Sequence, residues 1–448
     1  MKKKIFWILF WLCLVGLIAY EVSRPAPVET AYSGAYSLED DSFVFIAPNG
    51  GNELRYRTLS GQSGVLIPYG NRTYRGGKGW AERDMSFHTF RFTMGEDGRA
   101  TALMWEQPGV SPVHAPIVRL PEEIITFRSG ELTLRGKLVR PLGSTPAPAV
   151  VVVQAAENFS AVDRNFEPYL YAARGFATLI FDQRGTGKSH GKYTRNFRVQ
   201  AGDVLAALKW LRDQPGIDTT RIHLVGFAEG GWIAPLAAAR DADIRSVLIA
   251  CGPTVSVGEA DRWGYVRILR QKGFDDATIA KADRINAAIS AIVDRRENRW
   301  GELSQMLDEA RSEPWLGPLG RSHSLLGDVA ATRVPLWMTR AEWWWKFGRG
   351  GPGHIDRLYD PLPAVAVLKS PSFWIFGGQD SRMPTDWSVE ALNKLQKRGR
   401  PVDYMIYPEA EHGIMRFETM PKGWQHLLGY EPDYFKVQVD WLRRNSGM

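Results

Sequence analysis

One short segment of this sequence has the form of a nucleophile-bearing turn but lacks the reactive side chain. The segment LVGFAEGGW, residues 224–232, follows an apolar strand pattern and opens a helix pattern, with glycines at 226, 230 and 231. Small residues around such a turn let the central side chain project above a sheet, where a nucleophile is presented to substrate. The central residue here is Ala228, whose methyl group can neither attack a carbonyl nor pass on a proton.

Two further residues have the types and the chain order of the partners that such a nucleophile needs. Asp380 comes just after the strand pattern that ends FGG, and His412 lies in the loop after the next strand pattern. A histidine acts as the general base for a nucleophile when a carboxylate holds its imidazole in place. The sequence therefore predicts a catalytic site built from the position of Ala228 together with Asp380 and His412.

These segments resemble the α/β-hydrolase family, in particular bacterial extracytoplasmic esterases and peptidases with a G-x-S-x-G-G-W-x-A-P run. Gly226, Gly230 and Gly231 match that run, and it continues here as WIAP, residues 232–235. The resemblance covers roughly residues 122 to 445 apart from one insertion. It implies that Ala228 stands where the family has its nucleophilic serine, that Asp380 orients the imidazole, and that His412 is the base.

The same resemblance places an oxyanion hole, although the local sequence departs from the family pattern. Where the subgroup carries H-G-S-[EG] after a buried strand, this chain has QAAEN, residues 154–158. The hole is formed by backbone N–H groups, which by position are those of Ala156 and Glu229. Ala155 replaces a glycine and would restrict the backbone if that position needed a positive φ.

Other candidate nucleophiles, cofactors and metals receive little support. Ser160, Ser189 and Cys251 are conceivable substitutes for the missing serine, but none lies on the elbow turn. The glycine run DQRGTGKS, residues 182–189, matches a structural loop of the family and has the wrong spacing for a nucleotide-binding loop. No histidine or cysteine cluster has metal-ligand spacing. We expect neither cofactor nor metal.

The alternation of strand and helix patterns from Glu122 onward predicts an α/β fold with a doubly wound, mostly parallel sheet. Residues 122–251 and 369–446 form this hydrolase core, and residues 252–368 form a helical cap over the carboxyl ends of the strands, where ligands bind in open α/β folds. Residues 31–119 contain short strand patterns separated by turns and predict a small all-β domain. The cap is rich in tryptophan, which suggests an apolar or aromatic substrate group; its tryptophans are at positions 263, 300, 315, 337 and 343–345.

The N-terminal segment predicts a membrane anchor. Three lysines precede an apolar run over residues 5–20. As a helix this run would be roughly 24 Å long, somewhat short of the roughly 30 Å hydrocarbon core. No convincing cleavage site follows, so residues 1–23 are predicted to be a signal anchor rather than a cleaved signal peptide, with the body outside the cytoplasm, on the periplasmic side of a bacterial inner membrane.

Two functions remain open from the sequence. The first is a serine esterase or peptidase in an inactive form, with a small ester or peptide-like ligand. The second is a natural pseudo-enzyme that acts as a membrane-tethered binding or scaffolding protein. A different chemistry through Glu229 or His412 and an activated water has no support. Basic residues are scattered although the net charge is +7, which disfavours nucleic acid as a partner.

Overall fold

The protein is described by a computed structural model. It describes residues 30–448 apart from residues 40–41, 50–51, 82, 84, 144–145, 323, 332–339, 341–354 and 422–423. The predicted anchor at residues 1–23 lies outside these described residues. Within them, no helix is long and apolar enough to cross a membrane.

The N-terminal part is an antiparallel barrel of eight consecutive strands, each paired with the next in the chain. An isolated bridge between Tyr36 and Ile117 joins the first strand to the end of the last. Alternating residues fill the interior with aromatic rings, among them Tyr56, Phe90 and Trp105. The strands are β1 (Gly34–Ser37), β2 (Phe43–Pro48), β3 (Leu54–Thr58), β4 (Ser63–Pro68), β5 (Thr73–Gly76), β6 (His88–Met94), β7 (Ala100–Gln107) and β8 (Val110–Pro116).

The second sheet has the strand order β16-β15-β14-β13-β11-β12-β10-β9. Its first six strands in this order are parallel, and the hairpin at the other edge is antiparallel. Continuous apolar runs such as AVVVV at residues 149–153 are buried on both faces, as parallel strands require. The strands are β9 (Glu122–Ser129), β10 (Leu132–Val139), β11 (Ala147–Val153), β12 (Ala177–Phe181), β13 (Ile217–Phe227), β14 (Ser246–Ala250), β15 (Ser372–Gly377) and β16 (Val402–Tyr407).

Helices cover both faces of this sheet, which confirms the predicted α/β-hydrolase architecture with its small all-β domain. One face packs on the helices over residues 197–212, 230–238 and 385–396, and the other on the helices over residues 167–173 and 434–446. The core helices are α1 (Ala161–Arg164), α2 (Glu167–Ala173), α3 (Phe197–Arg212), α4 (Gly230–Ala238), α9 (Leu362–Val367), α10 (Thr385–Gln396) and α11 (Tyr434–Ser446).

The insertion after β14 forms a helical layer with its own apolar core. Its helices are α5 (Val257–Gln271), α6 (Asp276–Val293), α7 (Trp300–Ala310), a 3₁₀ turn (Gly317–Arg321) and α8 (Leu325–Ala331). Trp315 is buried in this core, whereas the tryptophans at positions 337 and 343–345 lie outside the described residues. The returning chain joins the sheet's own core through Tyr359, Val365 and Leu368.

The barrel is attached to the hydrolase core close to the predicted catalytic histidine. The hairpin β17 (Met415–Thr419) and β18 (Gln425–Tyr430) follows His412 directly. The amide of Trp80 donates to the carbonyl oxygen of Leu428 at 2.9 Å, and the amide of Tyr430 donates to Gly61 at 3.0 Å. The barrel therefore supports the segment that carries the histidine.

Candidate active site

The elbow turn is built as the sequence predicts, with Ala228 in a backbone conformation that L residues rarely adopt. Ala228 lies between the end of β13 and the start of α4 with φ of 46°. Its amide donates to the carbonyl oxygen of Ala250 at 3.0 Å, and its carbonyl accepts from the Gly231 amide at 2.9 Å. A positive φ costs a non-glycine residue roughly 1–2 kcal/mol, a strain that recurs at functional turns. The chain keeps this strained turn although it carries no nucleophile.

The glycines around Ala228 are required by the close approach of neighbouring backbone. A Cβ on Gly226 would lie 2.8 Å from the carbonyl oxygen of Gly230, and one on Gly230 would lie 2.5 Å from that of Val153. A Cβ on Gly231 would lie 2.8 Å from the Cα of Gly252. The elbow is therefore packed directly against the ends of β11 and β14, which fixes where the side chain at position 228 points.

This packing gives a prediction about stability. Gly230→Ala should lower the free energy of unfolding by about 1–3 kcal/mol, because the added methyl meets backbone that cannot move aside. Gly202→Ala in α3 is the matched control, since its Cβ would meet no atom within 4 Å. The control should raise stability by about 1 kcal/mol through helix propensity. Urea denaturation measures both, and equal effects of the same sign would contradict the packing described.

Asp380 and His412 are brought together at the carboxyl ends of β15 and β16. His412 Nδ1 lies 2.9 Å from Asp380 Oδ2. The other carboxylate oxygen, Oδ1, accepts the backbone N–H groups of Arg382 and Met383, each at 2.8 Å. A carboxylate only accepts, so the imidazole donates from Nδ1 and its Nε2 carries the free lone pair. This is the arrangement that prepares a histidine to act as a general base.

Glu411 joins the turns that carry these two residues, a role that no local sequence pattern indicates. Its carboxylate accepts the Ser381 amide at 2.8 Å and also the Ser381 hydroxyl. The Glu411 amide in turn donates to the carbonyl of Met415 at the start of the hairpin. A buried carboxylate next to the histidine thus connects the loops after β15 and β16, and it fixes the position of His412 relative to Asp380.

The loop after β11 provides a candidate oxyanion hole. Neither Ala155 nor Ala156 has a positive φ, so alanine in place of glycine does not strain this backbone. The amides of Ala156 and Glu229 donate to no acceptor within the described part of the chain. Gln183 Nε2 donates to the carbonyl of Ala155 at 3.1 Å and holds the loop. The N–H of Glu229 also lies at the start of α4, where a helix favours negative charge.

The side chain of Glu229 is used for structure rather than chemistry. It is buried and paired with Arg195 through two hydrogen bonds, one of them 3.2 Å long from Arg195 Nε. Arg195 forms a backbone bridge with Ile355 of the chain returning from the cap. The elbow is therefore connected to the cap by an ion pair next to Ala228, which leaves Glu229 unsuited to activate a water.

Of the three substitute nucleophiles, the two serines have structural roles and the cysteine is a buried thiol. The hydroxyl of Ser160 is bonded to Asp163 and Asp182 at 2.9 and 2.8 Å. That of Ser189 donates to the backbone carbonyl of Asp182 at 2.7 Å. Cys251 does line the same cavity as Ala228, but burial, and next the charge of Asp380, raise the pKa of its thiol to about 12. A thiol held protonated is a poor nucleophile.

Ala228 and His412 line the same cavity of about 200 Å³. Its other lining residues include residues of the barrel, of the loop after β11, and of the helices α2 and α11. The lining residues that the sequence did not single out are polar and aromatic, and they include Asn49, Arg57, Glu157, Glu167, Tyr430 and Tyr434. A cavity of this size fits a small acyl group next to the elbow.

The pKa of Glu157 in this cavity is raised from 4.5 to about 8, first by burial and then by the charge of Glu167. Between about pH 4.5 and 8, the carboxyl group of Glu157 therefore keeps its proton in the folded protein but loses it in the unfolded chain. Stability should fall as pH rises through this window, because ionised Glu157 is disfavoured only in the folded state. Glu157→Gln should flatten this part of the stability profile, and Glu131→Gln on an exposed turn should not. An unchanged slope in Glu157→Gln would contradict the assignment.

Comparison with known proteins identifies relatives of the hydrolase core. The model of the family described as X-Pro dipeptidyl-peptidase (S15 family) matches residues 130–413, more than half of the chain. A thiohydrolase of Aspergillus aculeatus, aneE, is 34% identical over 125 residues, which are 27% of this chain and 38% of that protein. Mouse dipeptidyl peptidase 8 is 28% identical over 149 residues, 30% of this chain and 17% of that protein. The matches thus span less than half the length of these relatives.

Solved structures with a similar fold include two archaeal hydrolases. Pyrococcus horikoshii acylaminoacyl peptidase has a TM-score of 0.45 at 15% identity, covering 92% of this chain and 55% of that one. The Pyrococcus furiosus esterase Pf2001 has a TM-score of 0.42 at 17% identity, covering 72% of this chain and 91% of that one.

Proposed function

Because the chain belongs to the X-Pro dipeptidyl-peptidase (S15) family of α/β-hydrolases, we propose that it binds an ester- or peptide-like ligand at a serine-hydrolase site that has lost its nucleophile. The observation that carries this proposal is that His412, which is hydrogen-bonded to Asp380, lines the same cavity as Ala228 in its strained turn. Contacts with neighbouring residues hold every part of the proposed site in position. Only position 228 lacks the side chain that would form a covalent bond with the substrate.

The reaction class that these residues fit is acyl transfer from an ester, a thioester or a small peptide. A side chain at position 228 with a hydroxyl would attack the acyl carbon while His412 accepts its proton. The amides of Ala156 and Glu229 would stabilise the oxyanion. With Ala228 the first bond cannot form, so the chain as written holds its ligand and does not turn it over.

A second candidate is a natural pseudo-enzyme that acts as a binding or scaffolding protein. The observation that favours it is the loop QAA at residues 154–156, which departs from the family pattern independently of Ala228. This loop is nevertheless held in place, since Gln154 Nε2 donates to the carbonyl of Phe181. Under this proposal the N-terminal segment 1–23 tethers the protein to the extracytoplasmic face of the membrane.

The proposal is tested on protein that keeps alanine at position 228. Residues 24–448 should bind short p-nitrophenyl esters in a saturable way, as followed by tryptophan fluorescence, without a burst of nitrophenol. His412→Gln should alter the binding, because the imidazole lines the cavity. Turnover by the unchanged chain that is lost in Cys251→Ala would show that another nucleophile operates, and it would overturn the proposal.

A further inference from the structure

The barrel contributes a buried arginine to the cavity that contains the elbow and the histidine. Arg57 lies on β3, its side chain is 1% exposed, and it lines the cavity together with Ala228 and His412. One terminal nitrogen, Nη2, donates to Asn49 Oδ1 at 3.1 Å. The guanidinium plane lies over the ring of Phe166, with its central carbon 4.4 Å from the ring centre. The side chain is therefore held in one orientation.

Two of the three guanidinium nitrogens of Arg57 have no hydrogen-bond partner among the described residues, although Arg57 lies close enough to Tyr430 to offset part of the effect of burial on the pKa of that hydroxyl. Nε and Nη1 are shielded from solvent and have no hydrogen-bond partner within the described part of the chain. Among the residues that the structure describes, no carboxylate lies within ion-pair distance of the Arg57 guanidinium, although two glutamates line the same cavity. Leaving donors of a charged group buried and unpaired is costly, so such a group in a ligand cavity indicates an acceptor on the ligand. A guanidinium presents two parallel N–H groups that match a carboxylate.

Neither glutamate forms an ion pair with Arg57, although the charge of Arg57 offsets part of the effect of burial on the pKa of Glu167. Burial raises the pKa values of both Glu157 and Glu167, and for Glu157 the value is about 8. Near neutral pH Glu157 is therefore largely the neutral acid, which donates a hydrogen bond instead of repelling an anion. Arg164 adds a second positive charge to the lining and donates to Asn52 Oδ1 at 3.1 Å. The cavity therefore contains hydrogen-bond donors that can bind an anion, although two glutamates line it.

From this geometry we infer that Arg57 is a specificity-determining residue, which binds a carboxylate or similar anionic group on the acyl part of the ligand. The inference rests on the proposed function and adds a substrate class to it. It also gives the barrel a role in the active site, because the hydrolase core alone lacks this cation. The small cavity limits the acyl group to a short chain that ends in the anion.

The test uses three methyl esters of matched length and different charge. Monomethyl succinate is anionic, methyl butyrate is neutral, and methyl 3-aminopropanoate is cationic. The Ala228 chain should not hydrolyse them, so binding is measured directly by NMR titration at about pH 7. We expect the anionic ester to bind about tenfold more tightly than the neutral one, the range of a hydrogen bond to a charged group. The cationic ester should bind most weakly.

Variants assign this preference to Arg57. Arg57→Gln should reduce the affinity for monomethyl succinate to that for methyl butyrate, and Arg57→Lys should keep part of the preference. Arg91→Gln, which removes an exposed charge paired with Glu106 on the barrel surface, is the matched control and should change nothing. If Arg57→Gln fails to fold, two results still test the inference. They are the ester affinities of Arg57→Lys and the order in which the three esters bind to the unchanged chain.

The outcomes separate this inference from the proposed function. Tightest binding of the cationic ester would show that the glutamates dominate, and equal binding of all three would show that Arg57 makes no contact. Either result overturns the charge preference alone. Failure of all three to bind, together with failure of Ala228→Ser to react with an alkyl fluorophosphonate, would overturn both.

Discussion

Ala228→Ser should convert this chain into an active acyl hydrolase, with a gain in kcat on short esters on the order of 10⁴-fold or more. The physical reason is that the residues proposed as partners of the missing serine are already held next to the elbow cavity. The turn already has the conformation that presents a side chain, and His412 is already held by Asp380. Serine adds one oxygen to alanine, so the substitution should fit the elbow with little repacking.

Turnover of p-nitrophenyl acetate and butyrate measures this gain. Ala239→Ser, the same chemical change at the end of α4 away from the cavity, is the control and should remain inactive. An Ala228→Ser variant that folds, binds ester and shows no turnover would mean that the oxyanion loop at residues 154–156 no longer supports the reaction. The pseudo-enzyme function would then be the better account.

The second large effect is expected for Asp380→Asn in the Ala228→Ser background, where kcat should fall by about 10⁴-fold. Asparagine can still accept the backbone amides of Arg382 and Met383, so the turn should be retained. Its amide group facing His412 would donate rather than accept, which favours the imidazole tautomer that cannot take a proton from the serine. The loss should therefore appear in kcat more than in KM.

Asp403→Asn at the exposed start of β16 is the control for this substitution. It makes the same change of charge on the neighbouring strand without contact to the histidine, and its activity should match the parent. Retention of activity in Asp380→Asn would show that His412 is held by other groups, of which Glu411 is the nearest carboxylate along the chain.

The parts of the proposed site that depend on local pattern can be recognised in the sequence. Glycines at 226, 230 and 231 around a strand-to-helix turn can be recognised because steric contact leaves no alternative. Asp380 and His412 can be placed because the carboxyl ends of parallel strands meet at one edge of the sheet. The fold class follows from the same alternation of buried strands and helices, and the structure confirms it.

The sequence could not predict contacts between distant segments. Arg57 lies in a short barrel strand that has no clear pattern in the sequence, and nothing local indicates that it shares a cavity with Ala228. Nothing in the local sequence indicates that Glu411 bonds to Ser381 on the turn that carries Asp380. The sequence predicted an all-β domain over residues 31–119 but not its eight individual strands, because short strands with irregular turns carry weak periodicity. The roles of Arg195 and Glu229 likewise depend on where the cap returns.

The most direct test of the account is the mass of the intact protein after treatment with an alkyl fluorophosphonate, a reagent that bonds to an activated serine. The account predicts one adduct on the Ala228→Ser variant, mapped to position 228 and lost when His412→Gln is added, and no adduct on the chain as written. An adduct on the unchanged chain, or none on the Ala228→Ser variant, would contradict the claim that this site lacks only its nucleophile.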